Sequence, residues 1–405
     1  MKKILLSSLF TLLLANNYNY KNFQKEYLQG YKQYKNNINK QFKEFNNTLN
    51  KEFQAYKKEL SKYWTKPELS SKDVFVEYSK DLKTKRKIDF KNNYMQIAVL
   101  AKNKKEAELK MAKSIKKLTT ETVNEAFNDN PVLKKVEKKF KSVGVSAKLR
   151  NKPIIADAIF KKHPTQKKII RYIKTSIQKH PVIVKRSKVP ALKQYVLTVP
   201  LPKNTHLIKA RQYKSAVFYR AKEFHLPASL IYAIIQTESS FNPMARSYVP
   251  AFGLMQIVPQ TAGKDAYKYL YKKPRLLTPS YLYNGENNIK IGSAYLNLLY
   301  YKYFKRVKDP ISRMYMTIAA YNTGAGNVAC AFNSSRKDFR GRTMCYRFKG
   351  DYNINKAIPK INSMSSKQVY NHLLSNLRYD EAKNYLKRVS KRLYRYQKAI
   401  VNHQI

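Results

Sequence analysis

Acidic residues, cysteines, clustered histidines and long hydrophobic runs are all scarce in this sequence, and each shortage excludes something. Only 25 Asp and Glu stand against 81 Lys and Arg, so every carboxylate is easy to single out. The two cysteines, Cys330 and Cys345, have no nearby His or Cys partner at zinc-ligand spacing. The six histidines (His163, His180, His206, His225, His372 and His403) are scattered, and no metal site is expected. The apolar run Ile4 to Leu14 is too short to span a bilayer comfortably. No cysteine follows that run, so a lipoprotein anchor is not expected. No internal repeat is evident.

What is present is a chain of 405 residues, 43% hydrophobic, long enough for two domains with their own cores. The net charge of +56 draws anionic polymers: nucleic acid, an anionic cell wall or an outer-membrane surface. Lysine as the default surface residue explains the same number equally well, because the basic residues are spread along the whole chain. Lys2 and Lys3, the apolar run and then Ala15 read as a secretory signal over residues 1–15, with a buried N-terminal helix as the minor alternative. An exported chain is not expected to meet nucleic acid. Its only two thiols, in an oxidising compartment, are expected to pair as a Cys330–Cys345 disulfide, with two unpaired buried cysteines as the alternative.

From Tyr20 the apolar residues Phe23, Tyr27, Tyr31, Tyr34, Ile38, Phe42, Phe45, Leu49, Phe53, Tyr56, Leu60 and Tyr63 recur at a spacing near 3.6. That predicts one long amphipathic helix within residues 16–66, a packing face more readily than a coiled-coil seam, since aromatics replace Leu and Ile. Over 67–203 the pattern is α+β. Val74, Val76 and Tyr78 alternate with Phe75 and Glu77, and Lys87–Phe90, Asn92-Asn93 and Tyr94–Leu100 read as a hairpin, followed by a helix over 104–127, one or two short helices within 154–173, and strands at 182–184 and 195–199. Pro200, Pro202 and Asn204 mark a linker, and residues 204–405 read as a mostly helical second domain.

The sharpest segment is Ile231-Tyr-Ala-Ile-Ile-Gln-Thr-Glu238, an almost wholly apolar helix that ends in a carboxylate. Burial disfavours the charged form and raises the pKa, as a general acid requires. A helix-end Glu that only caps or pairs is the commoner case when the motif stands alone. Fifteen residues on stands Gly253-Leu-Met-Gln256, whose glycine permits close backbone approach and whose amide can both donate and accept. Ala319-Ala-Tyr321-Asn322-Thr-Gly324-Ala-Gly326 places an aromatic and an amide at a Gly-rich corner; an ordinary helix cap reads the same way.

These pieces, in this order, resemble the lytic transglycosylase (SLT domain) family. Glu238-Ser239, Ser247 with Gly253 to Gln256, Ala320 to Gly326 and Tyr385 in Asn384-Tyr-Leu-Lys-Arg-Val389 carry the likeness. It extends more loosely through Thr261 to Asp265, Ser363 to Tyr370 and Lys72 to Phe90, towards membrane-anchored members of the family. Pro250 stands where the family usually has glycine, which reshapes the loop of Ser247.

The resemblance implies a goose-type, lysozyme-like helical catalytic domain following the α+β domain. It also implies a periplasmic enzyme acting on peptidoglycan glycan strands, with peripheral attraction to anionic envelope surfaces. In that chemistry Glu238 is the acid/base. Ser247 orients it or the substrate acetamide, Met255 and Gln256 line the floor, Tyr321 and Asn322 hold the sugar, and Tyr385 bonds near the reacting centre. No cofactor is implied. Of the acids near the motifs (Glu223, Asp265, Glu286, Asp309 and Asp338), none looks like a second catalytic carboxylate. That absence fits the chemistry the resemblance implies, non-hydrolytic cleavage in which the substrate supplies its own nucleophile; a goose-lysozyme-like hydrolase is the alternative, and only the family resemblance decides between them.

Overall fold

The computed structural model of the protein describes residues 2–160 and 164–405, with side chains uninterrupted from 36 to 160 and from 164 to 405. The expected export signal and the stripe residues Tyr20, Phe23, Tyr27 and Tyr31 lie outside the described side chains.

Helix α1, Lys2–Leu60, is the element that the 3.6-residue spacing predicts. Ile38, Phe42, Phe45, Leu49, Phe53 and Leu60 on that stripe are buried. Phe45 meets Phe140 edge-on at 5.3 Å and Phe252 at 6.3 Å, so the helix touches both halves of the chain. The chain then forms β1 Val74–Tyr78, β2 Thr84–Asp89, β3 Tyr94–Ala101, α2 Lys104–Thr120, α3 Val123–Asp129, α4 Pro131–Phe140, α5 Ala156–Phe160, α6 Gln166–Lys179, β4 Val182–Arg186 and β5 Lys193–Pro200. The five strands make one antiparallel sheet in the order β1-β2-β3-β5-β4.

The single helix expected over 104–127 is two. Glu121 leaves the helical conformation, and Thr122 opens α3 with a capping box to Glu125. Residues 152–154 then take up the freed backbone groups, with Val123 N–H donating to Lys152 O and Ile154 N–H to Glu121 O. A local cap thus overrides a continuous apolar period.

Past Pro200 the described chain is helical: α7 Thr205–Gln212, α8 Lys214–Glu223, α9 Ala228–Ser239, α10 Lys264–Tyr271, α11 Pro279–Tyr283, α12 Gly285–Leu298, α13 Pro310–Thr323, α14 Ala325–Asn333, α15 Ile354–Asn362, α16 Ser366–Asn376 and α17 Asp380–Val401. The fold is therefore an α+β, antiparallel-sheet region followed by a helical domain. Helix α9 is buried nearly all round and α17 lies along it, with Tyr232 stacked on Tyr396 at 5.3 Å. One hydrophobic cluster runs from Ile38 to Ile405 across both regions. Among the described residues no helix is long and apolar enough to cross a membrane.

Candidate active site

Helix α9 carries Glu238 at its last turn because seven apolar or small residues ahead of it, Leu230 to Ile235 with Ser229, are buried and fix the helix axis. The helix stops abruptly. Ser240 (φ 51°) and Phe241 (φ 63°) are consecutive left-handed residues without the freedom of glycine. Such backbone persists only where its surroundings enforce it. Here Phe241 is fully buried against Tyr232 and Tyr396, and Ser240 N–H still bonds Gln236 O at 3.2 Å. The chain thus turns immediately behind the carboxylate.

The Glu238 side chain is half-buried. Tyr385, from α17, donates its hydroxyl to Glu238 Oε1 at 2.7 Å. Burial pushes the carboxyl up from 4.5 to about 7; the Tyr385 hydrogen bond, Lys72 and Arg388 oppose the rise and Glu381 adds to it. A carboxyl poised near neutrality can hold a proton and release it. Burial, with the Glu238 charge adding to it, also lifts the Tyr385 and Tyr321 phenols well above their ordinary range, so both are neutral donors. One residue earlier, Arg392 Nη1 donates to Thr237 Oγ1 at 2.8 Å, a second tie between α17 and the end of α9.

The Gly253–Gln256 turn sits beside this helix end. Ser239 Oγ donates to Leu254 O at 2.8 Å, and Tyr321 donates its hydroxyl to Met255 O at 2.9 Å. Gly253 (φ 73°) needs its missing side chain, since a Cβ there would collide with Asn288 and with Leu282 O. Met255 is fully buried with its sulfur against Gly292, so it presents packing rather than exposed floor. Gln256 is also buried, left-handed at φ 47°, and its Nε2 donates to Gly253 O at 3.0 Å, while Oε1 has no hydrogen-bond partner among the described residues. Asn322 is exposed at the corner after Tyr321. Ser247 is half-buried, and its hydroxyl turns to Val249 O within its own loop. Tyr248 and Val249 of that loop face solvent. Cys330 and Cys345 are bonded, with Cα atoms 5.9 Å apart, and the bridge closes the segment that follows α14.

The acids weighed from the sequence are mostly engaged elsewhere. Glu286 pairs with Arg150 at 2.5 Å, Glu223 with Arg220 at 2.5 Å and Asp338 with Arg342 at 2.7 Å, while Asp309 caps α13. Asp265 is raised by burial and faces Tyr295.

Tertiary structure adds residues that sequence reading passed over. Asn288, fully buried, receives Met255 N–H at 2.8 Å and donates to Phe252 O and Leu282 O, both at 2.8 Å, which locks the turn. Its signal is an amide on the apolar face of α12, shared there only with Asn297. Glu381, paired with Arg388 at 2.8 Å, and Asp73, which accepts from Ser240 Oγ at 2.7 Å, are acids near the site that come from α17 and from the N-terminal region.

Residues 215–340 match the transglycosylase SLT domain. Membrane-bound lytic murein transglycosylase C of Histophilus somni is 38% identical over 200 residues, 49% of this chain and 49% of that protein. Its counterpart in Haemophilus ducreyi is 38% identical over 191 residues, 47% and 46% of the two chains. Among solved structures, the 70 kDa soluble lytic transglycosylase of Escherichia coli is 26% identical over 46% of this chain and 24% of its own, with a TM-score of 0.31. The chain spans about half the length of the curated relatives it matches. On the residues matched and the relatives found, this chain carries a domain of the lytic transglycosylase (SLT) family.

Proposed function

We propose that the protein is an envelope enzyme that cleaves the β-1,4 bond between MurNAc and GlcNAc in peptidoglycan without consuming water. The observation that carries this reading is Glu238: a half-buried carboxyl at the end of an apolar helix, lifted to about 7 and hydrogen-bonded by Tyr385 at 2.7 Å. In its protonated form Glu238 gives its proton to the glycosidic oxygen as the C–O bond breaks. The MurNAc acetamide stabilises the electron-poor anomeric carbon. Glu238, now a carboxylate, removes the proton from the 6-hydroxyl of the same sugar, whose oxygen closes on the anomeric carbon. The products are a 1,6-anhydroMurNAc end and a free GlcNAc hydroxyl, and Glu238 recovers its proton. One residue thus serves as acid and then base, which a carboxyl near neutrality does best.

Residues 204–405 are assigned the catalysis, with Tyr385 bonding the acid/base, Tyr321 and Asn322 as the sugar-side corner, and Gln256 and Met255 holding the turn behind them. Residues 67–203 are the support against which that domain is built. Export to the periplasm, suggested by residues 1–15 and by what the relatives act on, places the enzyme beside its substrate. Mass spectrometry of soluble products from purified sacculi tests the reading. Anhydro ends, lighter by one water than reducing ends, are expected; reducing ends alone would make the enzyme a goose-lysozyme-like hydrolase.

A further inference from the structure

One wall of the acid/base site is supplied from far outside the SLT match. The segment Ser71–Asp73 lies between α1 and β1, more than a hundred residues ahead of Glu238. It is anchored to the sheet by Ser71 N–H donating to Val74 O at 2.8 Å and Phe90 N–H donating to Asp73 O at 3.0 Å. Its other side is stitched to the turn directly behind Glu238. Ser240 Oγ donates to Asp73 Oδ1 at 2.7 Å, and Arg246 N–H donates to Ser71 O at 3.3 Å. Asn242 Nδ2 donates to Ser71 O and to Lys72 O, both at 3.4 Å. Every one of these donors falls within eight residues of the acid/base, on the strained turn that ends α9. Asn242 itself has no exposed surface, so the junction is built into the interior.

Lys72 sits in the middle of this stitched segment. It is half-buried, and among the described residues its ammonium enters no ion pair. An unpaired cation on a rigid segment costs solvation and ordering unless its position does something. The charged and titratable groups that bear on Glu238 come from three directions: Lys72 from this segment, Tyr385, Glu381 and Arg388 from α17, and Tyr321 from α13. Arg388 is occupied by Glu381 at 2.8 Å, and Arg392, further along α17, gives its guanidinium to Thr237 Oγ1 and faces Asp73. Of the two cations that bear on Glu238, Lys72 and Arg388, Lys72 is the one without an ion pair among the described residues. The many other lysines of this basic chain matter little here, because exposed charges beyond a screening length of about 8–10 Å are damped by salt.

We propose that Lys72 is a positioning residue for Glu238, an ammonium contributed by the N-terminal region that stabilises the carboxylate formed once the proton has been given to the leaving oxygen. The inference rests on the acid/base reading of Glu238. It gives the N-terminal region a direct part in the reaction and explains why that region is hydrogen-bonded to the turn behind the acid.

The test compares the full chain with Lys72→Met and Lys72→Arg, measuring turnover of sacculi against pH and the protonation of Glu238 by infrared difference spectroscopy (each protein minus the same protein with Glu238→Gln). Wild type is expected to lose turnover as pH rises through about 7, where the carboxyl deprotonates. Lys72→Met should move both that limb and the infrared titration upward by roughly half a pH unit or more, since removing a nearby opposite charge raises a carboxyl by about that order. Lys72→Arg should restore both. Lower turnover in Lys72→Met with neither titration moved overturns the inference, because a merely structural lysine would behave so. If Glu238→Gln keeps full turnover, the acid/base reading itself fails; the infrared titration then still decides whether Lys72 faces Glu238. Should Lys72→Met not fold, Lys72→Gln read by the same infrared titration takes its place, with the same two outcomes.

Discussion

Replacing Glu238 with Gln should abolish cleavage and, at alkaline pH, make the protein more stable. The amide keeps the shape and can still accept the Tyr385 hydroxyl, now 2.7 Å from Oε1, but it has no proton to give. A loss of at least roughly 10²-fold in turnover is expected from removing a general acid. The stability effect follows from the same carboxyl. It titrates near 4.5 when exposed and at about 7 in the fold. The folded state therefore holds its proton to higher pH than the unfolded state does, and stability falls as pH rises between those values. At about 1.36 kcal/mol per pH unit the ceiling is roughly 3 kcal/mol above pH 7. Solvent still reaches the side chain, so about 1–2 kcal/mol is the expected gain on substitution. Below pH 4.5 the carboxyl is protonated in both states and the gain should vanish. Urea unfolding of both proteins at about pH 3.5, a unit below the exposed carboxyl's 4.5, and at about pH 8 reads the difference. An equal offset at the two pH values, or a variant less stable at pH 8, would refute the claim that the site stores desolvation cost in Glu238.

Tyr385→Phe removes the hydroxyl that favours the carboxylate, so the alkaline limb of the pH–rate profile should move upward while turnover falls by about 10-fold or more. Gly253→Ala forces a left-handed alanine into Asn288 and Leu282 O, and a destabilisation of about 2–4 kcal/mol in chemical unfolding is expected. The disulfide should be present in exported protein: alkylation without reductant leaves Cys330 and Cys345 unlabelled, and reduction of this loop, of sequence separation 15, should cost about 3 kcal/mol. Retention on sacculi should weaken steeply between low and high salt because the chain is so basic; retention indifferent to salt would assign the affinity to sugar contacts instead.

What the sequence determined by itself is local and periodic. The spacing near 3.6 from Ile38 to Leu60 dictates the buried face of α1, since a helix repeats its surface at that interval. Alternation around Val74 and again up to Leu100 gives strands, and Asn92-Asn93 supplies the left-handed turn between them, with Asn93 at φ 61°. The apolar run into Glu238 announces a carboxyl that burial would perturb, because desolvation depends on the neighbours the chain itself provides. Other features hang on contacts between distant segments, which no local pattern encodes. The break between α2 and α3 has a local cap in Thr122 and Glu125, but the backbone groups it frees at Glu121 and Val123 find their partners thirty or so residues on, at 152–154. Met255, conspicuous in the sequence, is packed inward against Asn288 and Gly292, thirty or so residues later, and Gln256 beside it is buried with its amide on Gly253 O. Glu238 meets Tyr385 across 147 positions, and residues 71–73 reach the turn behind it, because only the packing of α17 on α9 and of the N-terminal segment on the turn at 240–246 brings them together. Electrostatics at a site is a sum over space rather than along the chain, so the carboxyl was legible from its own helix, Tyr385 only through a family resemblance, and the part of the N-terminal segment not at all.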